Sequence, residues 1–236
     1  MGESMAFDAR EPSAADHATR IYGLEAEDLM AIRIFYGLLR WPAGKVGGFV
    51  DIGACRPIQS NNTWLLYNRG WRGVNVDANP DAAPMFARDR PEDIMVTAGV
   101  SAQPGVLAYT RFSDPLLNGF LSTEDVARHE AHGIEVLDRL HVTCRSPEDI
   151  LTEYTPPTFD LLNIDVEGME DEILSNWDFG RWRPSVAIVE IHAATVKDVQ
   201  RSIAAKRLEA NGYELFSRLW HSSIFIRADA LKAAFS

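Results

Sequence analysis

Apolar positions follow two rhythms along the chain. Between about 24 and 40, Leu29, Ile32, Ile34, Phe35, Leu38 and Leu39 recur at helical spacing and predict a helix with a broad apolar face. Beyond residue 46 the apolar residues gather into short runs: Gly47–Gly53, Gly73–Asp77, Asp93–Val100, Phe159–Val166 and Ser185–Ile191. None alternates strictly, which suits strands covered on both faces. Helical stretches separate them. Asn79-Pro80 reads as an N-cap with proline at the first helical position. Ser146-Pro147-Glu148-Asp149 repeats that logic, with an acid three residues after the cap. Thr195 to about Glu209 predicts one long amphipathic helix, which Gly212 can stop in a left-handed conformation. Tyr213–Leu219 and Ile224–Arg227 flank a polar turn and read as a hairpin.

Strands alternating with helices predict an α/β fold, a mostly parallel sheet with helices on both faces. The hairpin would close it antiparallel. The stretch 105–144 breaks the alternation. It predicts a strand near Val106–Phe112 and a polar helix near 122–131, together covering one end of the sheet. Residues 1 to about 19 read as loosely ordered. The organisation predicted is therefore an N-terminal extension with one amphipathic helix (1–45) and a second domain (46–236).

Composition narrows the functions. The 236 residues include 46% hydrophobic and 24% charged side chains, an ordinary globular balance. With 23 basic and 34 acidic side chains the net charge is −11, which disfavours a nucleic-acid partner. No apolar run reaches the roughly 18 residues of a membrane helix. The polar N-terminus is not a secretory signal, and Ala6 breaks the myristoylation pattern despite Gly2. The two cysteines, Cys55 and Cys144, make neither a metal spacing nor a disulfide framework. Cytoplasm is the expected compartment.

Ligands of open α/β sheets bind beyond the carboxyl ends of the strands. Those ends read Asp51-Ile52-Gly53-Ala54, Asp77, Val100-Ser101, Asp165-Val166-Glu167-Gly168 and Glu190-Ile191-His192. Four of the five carry carboxylates, which together suit a cation, a set of hydroxyls, or both. Gly53 allows a tight turn. Asp77, which ends the next strand, is placed for ribose hydroxyls. ACRPIQS follows Gly53, so the G-x-G-x-x-G pyrophosphate cradle is missing. A phosphate-free nucleoside with cationic groups, S-adenosylmethionine, matches this pattern. A nicotinamide-dependent oxidoreductase and a non-catalytic binding module are the alternatives.

The blocks FVDIGACRPIQSNNTWLLYNRGWRGVNVDANP, FDLLNIDVEGMEDEIL and VAIVEIH resemble the FkbM family of S-adenosylmethionine-dependent methyltransferases, over about Gly48 to Ile226. The resemblance implies a class I (Rossmann-like) methyltransferase fold with seven strands, the last antiparallel. It also implies O-methyl transfer, commonly to sugar hydroxyls of glycans, glycolipids or glycosylated metabolites. It places Asp51, Gly53 and Ala54 at the methionyl side, with Ser60 and Asn61 touching the same ligand. Asp77 falls at the ribose, Val100 and Ser101 at the adenine, and Asp165, Glu167 and Gly168 near the transferred methyl. Glu190 and His192 match the fifth-strand block. Cys55, followed by Arg56, stands where many members have Asn.

For the chemistry, His192 is the expected base because imidazole titrates near working pH. Asp165 would orient the acceptor hydroxyl or share its proton, with Glu167 beside it. Asp165, Glu190 and His192, with Glu167, could also hold Mg or Mn. Glu170, Asp171 and Glu172 read as helix N-terminal acids. His129 and His132 read as surface residues, and Trp64, Trp71 and Trp220 as packing. No triad pattern makes Cys55 a nucleophile.

Overall fold

The computed structural model describes residues 20–154 and 158–235; the expectation for residues 1–19 lies outside them. In chain order the elements begin with α1 (Glu27–Ile32), continued by a π-helical turn (Arg33–Leu38), then β1 (Gly48–Ile52), α2 (Trp64–Asn68), β2 (Arg72–Asp77) and α3 (Ala82–Asp89). β3 (Ile94–Thr97), β4 (Gly99–Val100) and β5 (Gly105–Phe112) lead to α4 (Thr123–Ala131), β6 (Val136–Arg145) and α5 (Pro147–Tyr154). The rest comprises β7 (Leu161–Ile164), α6 (Glu170–Ser175), β8 (Val186–Glu190), α7 (Val196–Arg201), α8 (Ile203–Ala210), the hairpin β9 (Tyr213–Arg218) and β10 (Ser222–Arg227), and α9 (Ala228–Phe235).

Seven strands form one sheet in the order β3-β2-β1-β7-β8-β10-β9. The first five are parallel, and β10 runs antiparallel to both β8 and β9. This is the Rossmann-like, seven-stranded arrangement that the resemblance implied. Chain order reverses beside β1, which is where such sheets open a ligand crevice.

Both faces are buried because alternate residues feed separate cores. Val50, Ile52, Leu162, Ile164, Ala187 and Val189 pack with Ile150 and Leu151 of α5, Ile173 and Leu174 of α6, and Val199, Ala205 and Leu208 of α7 and α8. On the opposite face Phe49, Leu161, Val186, Ile188 and Ile224 meet Ala31, Ile34, Phe35 and Leu66. That second face carries a polar row. Asp51 is in register with Asn75 on one side and Asn163 on the other.

Local chemistry moved several expected boundaries. The N-terminal helix loosens into a π turn, where Leu39 N–H donates to the Ile34 carbonyl at 2.7 Å. The run Asp93–Val100 is two strands, because Gly99–Val100 leaves the main sheet to pair with β6. α3 starts two residues after Pro80, since Asn79 Oδ1 accepts the Asp81 amide in an Asx turn instead of capping the helix. Ser146 does cap α5, accepting the Asp149 amide at 3.1 Å. The single helix expected at 195–209 breaks at Ser202, whose ψ of 157° ends α7 and whose hydroxyl caps α8. Gly212 stops α8 at φ +83°.

The stretch 105–144 folds into a second sheet, β4-β6-β5, with α4 between its long strands. β6 was not foreseen. No helix among the described residues is long and apolar enough to cross a membrane.

Candidate active site

A cavity of about 660 Å³ opens at the carboxyl ends of the parallel strands, within the range of small-molecule sites. Its floor is made where β1 and β7 finish. Gly53 turns at φ +87°, and its backbone passes so close to Asp165 that a Cβ would lie 1.6 Å from the Asp165 carbonyl oxygen. The Gly53 amide donates to the Val76 carbonyl at 2.8 Å, and Asp165 N–H to the Ile52 carbonyl at 2.9 Å. The loop is thereby tied to both neighbouring strands.

At one end of the cavity stands Asp77. Its two carboxylate oxygens accept the Cys55 and Asn79 amides, each at 2.7 Å. Burial pushes its carboxyl up to about 6. Ala78, Val100, Tyr109 and Phe120 add apolar walls nearby. Asp165, Glu167, Glu190 and His192 line the same cavity from the ends of β7 and β8, across β1 from Asp77. His192 Nε2 is 3.3 Å from Glu190 Oε1, and that contact lifts the imidazole to about 9. Burial, with the charge of Glu190, lifts Glu167 to about 8. Asp165 is raised well above the usual carboxylate range by burial and then by Glu190 and Glu167. Burial and Asp77 push the Cys55 thiol up to about 12, so it stays protonated.

Backbone strain collects here. Cys55, Ser60 and Glu167 all line the cavity, and all hold left-handed φ angles of 48°, 53° and 56°. Such conformations persist only where the surroundings enforce them.

Gly53, Ser60, Asp77, Val100, Asp165, Glu167, Glu190 and His192 line one cavity. Four expected cofactor contacts do not line it. Asp51 lies beneath the floor at 1% exposure. Its oxygens are taken by Asn163 Nδ2 at 2.8 Å, Thr63 Oγ1 at 2.8 Å and Asn61 Nδ2 at 3.4 Å. Asn61 is consumed by the same network, where Arg90 Nη1 donates to its Oδ1 at 3.0 Å. Ala54 packs against Ala82 and Phe86 of α3. Ser101 turns away and donates to Glu172 at 2.8 Å.

The acids at the start of α6 hold structure: Glu170 accepts the Val166 and Gly168 amides, and Asp171 the Ala204 amide. His129 faces the cavity and stacks edge-on with Phe112 at 5.2 Å, so it is not a plain surface residue, whereas His132 is exposed. Trp71 is buried and Trp220 is 75% exposed.

Tyr109, Asp114–Asn118, Phe120 and Leu121, from the stretch expected to cover one end of the sheet, wall the cavity. Two groups went unforeseen. Leu24 and Glu27 line it from the N-terminal segment, and His221 from the hairpin turn. Glu25 ties the last two together, accepting the His221 amide at 2.9 Å and the Ser222 amide at 3.2 Å. Glu27 accepts the Ser222 hydroxyl at 2.8 Å. Contacts that span the chain leave no local sequence signal.

The raised groups set a pH dependence of stability. A group whose pKa is higher folded than unfolded contributes stability that is present below the unfolded pKa and is lost as pH rises through the folded one. Asp77, Glu167 and His192 all have this sign. The ligand-free protein is expected to lose melting temperature steadily between about pH 5 and pH 9. Differential scanning calorimetry across that range checks it, and a flat or rising profile would contradict the crowded carboxylates.

A family model described as the methyltransferase FkbM domain matches residues 51–215. Solved structures with a similar fold include a TehB-like SAM-dependent methyltransferase from Corynebacterium glutamicum, with 16% identity, 90% of this chain and 91% of that chain covered, and a TM-score of 0.43. Aeropyrum pernix fibrillarin with bound S-adenosyl-L-methionine has 13% identity, coverage of 84% and 73%, and a TM-score of 0.43. An O-methyltransferase from Bacillus cereus in complex with SAH has 11% identity, coverage of 90% and 84%, and a TM-score of 0.40. No curated protein matched the chain.

Proposed function

Because the chain belongs to the FkbM methyltransferase family, we propose that it moves a methyl group from S-adenosylmethionine to a hydroxyl oxygen of a sugar, in a glycan, a glycolipid or a glycosylated metabolite. The observation that carries the reading is the division of one cavity between Asp77 beside apolar walls and a carboxylate cluster with His192. The donor set suits this cofactor. A carboxylate fixed by two amides fits a ribose diol, apolar walls fit a flat base, and acids fit an ammonium and a sulfonium. When bound, S-adenosylmethionine supplies an electrophilic methyl on a positively charged sulfur.

The residues of this chain do the rest. Asp77 would hold the ribose hydroxyls. Gly53 keeps the floor low beneath the ligand. Asp165, Glu167 and Glu190 would set a negative field at the reacting end, which favours a cation there. Held by Glu190, His192 would take the acceptor proton only in its neutral form. With the imidazole lifted to about 9, that is the minor form at neutral pH, and not the near-neutral titration expected from sequence. Glu167, lifted to about 8, is likewise mostly protonated there. Residues 114–121 and the Glu25-bound hairpin turn would shape the acceptor's entrance.

Two measurements test the reading together. Methyl-labelled S-adenosylmethionine and a panel of saccharide acceptors should give label attached to sugar oxygen. Calorimetry with S-adenosylhomocysteine should show binding that falls at least about tenfold in Asp77→Ala, the loss of a charge-assisted hydrogen bond. Label found on nitrogen or carbon would overturn the oxygen acceptor, and unchanged binding in Asp77→Ala would overturn the ribose assignment.

A further inference from the structure

Glu167, Glu190 and His192 each present a ligand atom within 4.8 Å of the other two. They come from the ends of two adjacent parallel strands, β7 and β8, so the sheet itself fixes their separation. Glu167 is turned at φ +56° immediately before Gly168 at φ +107°. Glu190 is a second, independent pointer. Its side chain is 10% exposed, and its Oε2 finds no hydrogen-bond donor among the described residues. Its other oxygen faces His192 at 3.3 Å, and Asp165 lies within hydrogen-bonding reach of the same carboxylate. Asp165, half-buried next to this pair, adds a third acid. A sealed carboxylate oxygen without a partner is costly unless something cationic reaches it.

We propose that these three side chains form a divalent-cation site, at the acceptor end of the cavity. Two carboxylates and one imidazole suit a hard six-coordinate ion of the magnesium or manganese class, with the remaining positions open to oxygen. Of the four residues expected from sequence, Asp165, Glu167, Glu190 and His192, Asp165 falls outside this set. It rests on the transferase reading and deepens it. A cation here favours an acceptor with two neighbouring oxygens, such as a vicinal diol, because both can enter the open positions. In the transfer itself the acceptor oxygen forms the new O–CH3 bond as the S–CH3 bond breaks. The bonding pair stays on sulfur, which becomes a neutral thioether, and the hydroxyl proton leaves to a basic side chain or to water.

The test uses the chelator-treated full chain and manganese as the probe. Paramagnetic resonance of free Mn2+ should report one bound ion per chain. The affinity should fall at least about tenfold in Glu190→Gln, Glu167→Gln and His192→Ala. The His192 side chain is 58% exposed, so its variant should still fold and keeps the test meaningful if a glutamate variant unfolds. Calorimetry with S-adenosylhomocysteine runs on the same samples. No manganese site, or several weak sites indifferent to all three variants, with the nucleoside still bound, overturns the cation site alone. One manganese site sensitive to the variants, with no nucleoside binding, supports the cation site and overturns the transferase reading.

Discussion

Gly53→Ala is expected to cost more than about 4 kcal/mol of stability, in the range reserved for severe local clashes, and to abolish S-adenosylhomocysteine binding. The new methyl would sit 1.6 Å from the Asp165 carbonyl oxygen and 2.6 Å from its carbon, and both are backbone. No rotamer relieves that contact. The φ of +87° adds left-handed strain. Relief would require β1 and β7 to part just where they carry Asp51 and Asp165. Gly133 is the control. Its φ is +83° with open space around it, so Gly133→Ala should cost only about 1–2 kcal/mol, the left-handed penalty alone. Urea unfolding and nucleoside calorimetry on both variants decide. A Gly53→Ala protein that melts and binds like the parent would mean the floor is not built this way.

Arg90→Met should destabilise by about 3–5 kcal/mol, the usual effect of orphaning one member of a buried ion pair. Both Arg90 and Asp93 side chains are fully buried, with Nη2 2.6 Å from Oδ2. Arg90 Nη1 also donates to Asn61 Oδ1 and to Thr63 Oγ1, each at 3.0 Å. The guanidinium lies over the rings of Phe49, Tyr67 and Phe86 at 5.2, 5.0 and 5.3 Å. It is also the cation nearest in influence to buried Asp51. Methionine fills much of the volume but leaves two carboxylates without compensation. The double variant Arg90→Met, Asp93→Leu should recover part of the loss, because removing both partners removes the orphan. Thermal and urea melts of the three proteins make the comparison. Equal stability of Arg90→Met and the parent would show that Asp51 and Asp93 are compensated some other way.

The sheet was legible because its strands are covered on both faces and so read as apolar runs punctuated by Gly or Asp. The acids at their ends stood out against that background. β6 stayed hidden because VLDRLHVTCR scatters Asp138, Arg139, His141 and Arg145 among its apolar residues without a clean run and leaves Leu137 62% exposed. Such a segment reads as loop until β5 is known to lie beside it. Ser202 concealed a helix break, since serine inside an amphipathic stretch looks like a solvated position until its hydroxyl is seen capping the next helix. Asp51 was correctly placed on its strand, but its partners Asn61, Thr63 and Asn163 lie 10 to 112 residues away. Periodicity carries no information about which of several polar neighbours will satisfy a buried acid, so a floor group was read as a ligand contact. The wall from Leu24, Glu27 and His221 is a longer-range case of the same kind.

The Glu25 clamp fixes an order of events during synthesis. Its carboxylate emerges early on the ribosome, while the Ser222 amide it binds lies 197 residues further along. The parallel strands can pair while the hairpin is still untranslated, and one side of the crevice then lacks its wall. Only translation of the β9–β10 turn closes that side, so the ligand chamber is completed long after the segment that holds it shut has been made.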